Sequence, residues 1–113
     1  MFHRECVDDE QQGIQGIIQE ITKNYPHITS ILLYGSKATG DFAEDSDIDL
    51  LFICDTEPSR SSKNQLIDAI YEHELRNDIV ISAIFVSKSA FSREASTFVK
   101  HAKKEGIVLW LRE

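Results

Sequence analysis

The sequence predicts an α/β (α+β) fold, a mixed sheet of about four strands with helices packed against it. Three observations lead there. Short β-branched or apolar runs recur at 28–34, 47–54, 79–87 and 107–111. Stretches with apolar residues at helical spacing stand between most of them. The second and fourth runs are almost wholly apolar, as strands covered on both sides would be.

Taken in order, Ile14, Ile17, Ile18, Ile21 and Tyr25 form one apolar helical stripe. Asp8 and Asp9 are placed to cap that helix, and Asn24 and Pro26 to end it. ITSILLY (28–34) follows as a strand, then a short helical turn, then DIDLLFIC (47–54) as a second strand. DTEPSRSS is rich in turn formers and reads as a loop. A helix from about Lys63 to Arg76 carries Leu66, Ile67, Ile70 and Tyr71 as its apolar positions. IVISAIFVS (79–87) is the third strand. Lys88 to Lys104 reads as one last helix, with Phe91, Ala95, Phe98, Val99 and Ala102 inward and Gly106 as its stop. IVLWL (107–111) is the fourth strand.

Composition narrows the function. With 113 residues, 42% of them hydrophobic, the chain suits a single domain, 1–113, with a core of its own. A net charge of -7 disfavours tracking a long nucleic acid or an anionic membrane, both of which call for basic surface. No apolar run is long enough for a membrane span, and MFHRECVDDEQQ lacks the apolar core of a signal peptide. Two isolated cysteines, Cys6 and Cys54, make neither a disulfide framework nor a zinc site. A reduced, cytoplasmic setting is expected.

The chemistry concentrates in YGSKATGDFAEDSDIDLLF, residues 34–52. Asp41, Glu44, Asp45, Asp47 and Asp49 crowd into it just as the chain turns apolar again. Asp47 and Asp49 are two apart at the start of a strand and leave from the same face, while Ile48, Leu50 and Phe52 face the other way. Two carboxylates so close repel each other unless a cation or a shared proton offsets them. Hard oxygen donors of this kind suit Mg²⁺ or Mn²⁺. Gly35 and Ser36 occupy the junction of strand and turn, where glycine lets a phosphate approach the backbone. Serine can cap the turn, whose amide groups favour an anion. Phosphate at one end and metal at the other make a site for a metal-bound nucleoside triphosphate and in-line transfer.

Two rival motifs fail on the same residues. GSKATG has the glycine spacing of a P-loop, but Asp41 and Phe42 stand where Lys and Ser/Thr are required. DSDID supplies the first acids of an EF-hand loop, yet Leu50 takes the glycine position and Thr56 the closing glutamate position. A lone Asp-x-Asp is most often a solvated strand-start cap. The coupled Gly-Ser and the strand placement favour a site.

Gly35-Ser36, ten intervening residues and Asp47-Ile48-Asp49 resemble the GSx10DxD signature of the DNA polymerase β-like nucleotidyltransferase superfamily. The surrounding stretch is similar to its small stand-alone members, the minimal nucleotidyltransferases. The resemblance implies a metal-dependent enzyme that moves a nucleoside monophosphate, AMP from ATP above all, to an acceptor hydroxyl. By position, Gly35 and Ser36 would hold phosphates, with Lys37 the only nearby basic group. Asp47 and Asp49 would be catalytic and bind Mg²⁺ or Mn²⁺. The family's third carboxylate has no evident counterpart: Ser82 takes its natural position, and Asp78, of the same strand parity, lies at the strand edge. Many members also carry arginine where Thr39 stands. Small members often occur beside a helical HEPN-class toxin and act as its antitoxin, some by adding AMP to a partner tyrosine. The resemblance therefore implies a protein partner or a second subunit that completes the acceptor site. A family fold kept as an antitoxin with weak or lost catalysis is the alternative.

Other residues read more plainly. His3, His27, His73 and His101 show no ligand spacing and are expected in surface or packing roles. Glu72, His73 and Glu74 point in different directions on a helix. Lys100, Lys103 and Lys104 suit a helix C-terminus. Trp110 and Cys54 are expected in the core.

Overall fold

A computed structural model describes residues 2–35 and 47–112, with side chains in the first helix from residue 11 onward. The chain runs α1 (Phe2–Asn24), β1 (Ile28–Tyr34), β2 (Ile48–Cys54), α2 (Arg60–Asn77), β3 (Ile81–Ser87), α3 (Lys88–Ser92), α4 (Thr97–Glu105) and β4 (Ile107–Leu111). The short helical turn expected between β1 and β2 lies outside the described residues, as do Ser36, Lys37, Thr39, Asp41, Glu44 and Asp45. Among the described residues no helix is long and apolar enough to cross a membrane.

The sheet order is β3-β2-β1-β4. β1 pairs antiparallel with both β2 and β4, whereas β2 and β3 run parallel, joined through α2. The expected mixed four-stranded sheet is therefore observed. β2 lies inside it, which explains its nearly unbroken apolar run. Ile48, Leu50, Phe52 and Cys54 enter one core with Ile17 and Ile21 of α1 and Leu66 and Ile70 of α2. Leu51 and Ile53, of opposite parity, enter a second core with Leu32 and Ala102. Burying a residue such as Ile17 or Ile21 contributes about 1.5–3 kcal/mol, and both are fully buried.

Helix α1 approaches α2 closely at Gly16. A β-carbon there would stand 2.9 Å from His73 Cε1 and Nδ1. His73 is buried, and its Nε2 lies 2.8 Å from Glu20 Oε1. Its packing role is as expected. Glu72 is exposed, while Glu74 Oε2 accepts a bond from the Ile81 amide, so the three neighbours do diverge.

Six expectations need correction. α1 continues back to Phe2, so Asp8 and Asp9 lie within the helix and do not cap it. Residues 2–12 contain neither proline nor glycine, so nothing in them forces a later start. α2 begins at Arg60 because Ser59 caps it, its Oγ accepting from the Ser62 amide at 3.1 Å. β3 begins at Ile81, because Asp78 adopts a left-handed C-cap (φ 54) before the strand can start. The single helix expected over 88–104 is two. Glu94 takes a positive φ of 51, and Ser96 opens α4 by accepting from the Val99 amide. Ala95 falls in that break and is exposed, not inward. On α2, Ile67 and Tyr71 are 49% and 56% exposed, because only the Leu66/Ile70 side of the helix meets the sheet.

Candidate functional site

The site is built where β1 ends and β2 begins. Tyr34 pairs with Asp49 across the antiparallel ladder, so their side chains share a face. Gly35 follows Tyr34 with φ +75, a left-handed conformation that glycine adopts without steric cost. A β-carbon on residue 35 would overlap Asp49 Oδ2 and stand 3.1 Å from its Cγ. The two ends of the proposed signature thus meet through backbone and carboxylate.

Asp47 is exposed just ahead of β2, while Asp49 is half-buried. Burial, and then the negative charge of Asp47, raise the Asp49 carboxyl above its ordinary value. Among the described residues no lysine or arginine is paired with either carboxylate. Tyr34 responds to the same environment: burial, followed by the Asp49 charge, pushes its hydroxyl up to about 12. It therefore stays protonated near neutrality. Its ring meets Phe98 of α4 edge-on at 5.2 Å, which closes the apolar side of the site.

On the other flank, the parallel register sets Ser82 beside Asp49. Asp78 lies off the strand at the end of α2, and the ladder is continued by the Ile48 amide donating to Val80 O at 2.9 Å. Among the described residues no group of three His, Cys, Asp or Glu side chains is arranged to hold a metal ion. The described donor set is therefore the Asp49 carboxylate on β2, the Asp47 carboxylate just ahead of the strand, and the Ser82 hydroxyl beside Asp49. A hard divalent cation fits such a pair, since its charge would offset both the burial and the Asp47 repulsion that raise Asp49. Sequence reasoning did not single out Tyr34. Its signal was its place immediately before Gly35, but only strand register shows that it faces Asp49.

Comparison with known proteins gives the family. The family model described as Polymerase beta, Nucleotidyltransferase matches residues 17–113. The chain belongs to that nucleotidyltransferase family. It is similar to two proteins of Methanocaldococcus jannaschii, both named as candidate protein adenylyltransferases. One is 31% identical over 104 residues, covering 90% of this chain and 99% of the relative. The other is 29% identical over 96 residues, covering 80% and 93%. Among solved structures, a candidate nucleotidyltransferase from Sulfolobus solfataricus superposes with a TM-score of 0.65 at 16% identity, over 96% of this chain and 88% of that one. A chain of a Shewanella oneidensis complex, a tri-AMPylated HEPN toxin with an MNT antitoxin, gives 0.59 at 20% identity, over 90% and 72%. These structural likenesses bear on the fold.

Proposed function

We propose that this chain transfers AMP from ATP to a hydroxyl on a protein acceptor, as the antitoxin partner of a HEPN-class toxin. The observation that carries the reading is the meeting of Asp49 with Gly35 where β1 ends and β2 begins, with the Asp47 charge acting on Asp49. The names of the relatives support adenylyl transfer, and the complexes among the fold neighbours support a protein partner.

In this reading Asp47 and Asp49 hold Mg²⁺ or Mn²⁺. When bound, the cation neutralises triphosphate charge and makes an adjacent hydroxyl more acidic. Gly35 gives a phosphate close access to the backbone, with Ser36 and Lys37 as the further phosphate contacts. The acceptor oxygen bonds to the α-phosphorus while the bond to the bridging oxygen breaks, the acceptor's proton passes to solvent water, and pyrophosphate leaves. Tyr34, protonated and packed against Phe98, lies on the same sheet face beside Asp49. Ser82 offers a hydroxyl but cannot take the acceptor's proton as a carboxylate would.

The test is incubation with labelled ATP, Mg²⁺ and a HEPN-class partner, followed by intact-mass measurement of the partner. Addition of AMP is expected, and it should vanish with Asp47→Asn/Asp49→Asn. Metal-dependent labelling that survives this double change would refute the assignment. The position of Ser82 favours a second reading, an antitoxin acting by binding with little catalysis. That reading expects neutralisation of the toxin to survive the same double change. Loss of neutralisation with the complex intact would eliminate it.

A further inference from the structure

Helix α2 carries an uncovered apolar ridge. Ile67, Tyr71 and Leu75 follow one another at four-residue steps and form one line about 12 Å long. They are 49%, 56% and 66% exposed. Past the helix cap the Ile79 amide donates to Glu74 O at 3.2 Å, which turns the chain back against the last helical turn. Val80, 58% exposed, adds to the apolar surface at that end. The other side of α2, with Leu66 and Ile70, packs into the core that Ile48, Leu50 and Phe52 enter. Asp49 has the opposite strand parity, shared with Leu51 and Ile53. The helix that bears the ridge and the Asp49 carboxylate thus lie on opposite faces of the sheet.

Charge indicates what this ridge accepts. Asp68 and Glu72, four apart, are exposed along one flank of it. Neither is paired with a lysine or arginine among the described residues. The cations of α2 are engaged or distant: Lys63 lies 3.1 Å from Glu57, and Arg76 lines the cleft toward α1 with Glu20 and His73. Arg60 stands roughly 10 Å before Ile67 along the helix axis. A second copy would set two such acidic flanks together in a chain already at -7, which opposes self-pairing. An added strand is opposed too. β3 is the neighbouring sheet edge, and the Ile81 amide at its start is already taken by Glu74 Oε2 at 2.8 Å. An apolar ridge at helical spacing beside two unpaired carboxylates complements a helix with an apolar stripe and a lysine or arginine flank.

We propose that this ridge docks a basic amphipathic helix of a partner protein. The partner's apolar stripe lies against Ile67, Tyr71 and Leu75, and its cations meet Asp68 and Glu72. Val80 O accepts from the Ile48 amide, so the Leu75 end of the ridge lies at the Asp47/Asp49 end of the sheet. A helix seated there brings the segment that follows it toward the mouth of the site. That consequence rests on the AMP transfer proposed for the site, whereas the docking does not.

The probe is a 14-residue amphipathic peptide of leucine and lysine, titrated into the full chain by calorimetry and mapped by amide chemical shifts. Saturable binding is expected, with shifts at Ile67, Tyr71 and Leu75 and none at Leu32 or Phe91. The same peptide with glutamate in place of lysine should bind about tenfold more weakly, and Asp68→Lys/Glu72→Lys should weaken the lysine peptide by a similar factor. Tyr71→Ala should also cost about tenfold. Should the charge reversal disturb the circular dichroism spectrum, Asp68→Asn/Glu72→Asn replaces it, with a smaller loss expected. Asp47→Asn/Asp49→Asn should leave the affinity unchanged, which separates docking from transfer. Equal binding of the glutamate peptide would overturn the proposal, as would unchanged affinity in folded Tyr71→Ala. Shifts confined to Gly35 and Asp49 would overturn it too. A dimer in sedimentation that Tyr71→Ala dissolves would give the ridge to a second copy and overturn it as well.

Discussion

Ser82 stands beside Asp49 across the parallel β2–β3 ladder, on the same face of the sheet. A carboxylate at residue 82 would complete a cluster of three with Asp47 and Asp49. Ser82→Asp is therefore expected to destabilise the metal-free protein by about 1–2 kcal/mol through like-charge repulsion. It should also enlarge the stabilisation produced by Mn²⁺ and raise the rate of AMP transfer. Thermal melts in chelator and in Mn²⁺, with single-turnover labelling, check both. An unchanged response to Mn²⁺ would separate residue 82 from the metal site.

Gly35→Ala introduces both a positive-φ penalty and an overlap with Asp49. A cost of about 2–3 kcal/mol is expected, or roughly a 10 °C fall in melting temperature. In an Asp49→Ala background the overlap is relieved while the φ penalty remains. The cost should then fall to about 1 kcal/mol. A double-mutant cycle measures the difference.

Asp49→Asn removes a charge that burial and Asp47 both disfavour. In chelator the variant should melt slightly higher than the parent, by roughly a few degrees. The stabilisation by Mn²⁺ and ATP should be lost. A variant that melts lower in chelator would contradict the electrostatic account of the site.

Cys54 is only 1% exposed, and burial, followed by the charges of Glu57 and Asp55, pushes its thiol from an ordinary 9.0 up to about 11. The folded state therefore holds this proton more tightly than the unfolded chain. Stability should fall as pH rises from about 9 through about 11, with no contribution below that window. Cys54→Ala should flatten melting temperature against pH there, after a loss of about 1 kcal/mol at neutrality from the smaller side chain. Alkylation by iodoacetamide at pH 8 should modify Cys54 only after unfolding.

Gly16→Ala should cost about 1 kcal/mol, because displacement of the His73 ring outweighs the better helix propensity of alanine. In a His73→Ala background the sign should reverse, since only the propensity gain remains. Urea unfolding of the four proteins decides it.

Much of this was legible in the chain because it is local. The apolar periods of 28–34 and 107–111 match β1 and β4 residue for residue. Asn24 and Pro26 end α1 as their backbone chemistry requires. The break at 93–96 was also signalled, by Ser96 as a helix cap, but the apolar spacing that runs through it pointed to a single helix. At Ile67 and Tyr71 the helical period was read correctly, while their exposure depended on which side of α2 meets the sheet.

The sequence by itself determined the family signature, the strand that carries Asp49, and the sheet class. Each follows from residue type and short-range spacing. Tertiary structure alone decided that Asp49 lies against Gly35 and shares a sheet face with Tyr34, and that the ladder runs past Ser82 with Asp78 left at a helix cap. Those are relations across strand register and helix docking. They are set by pairing and packing between distant segments, which no local period encodes.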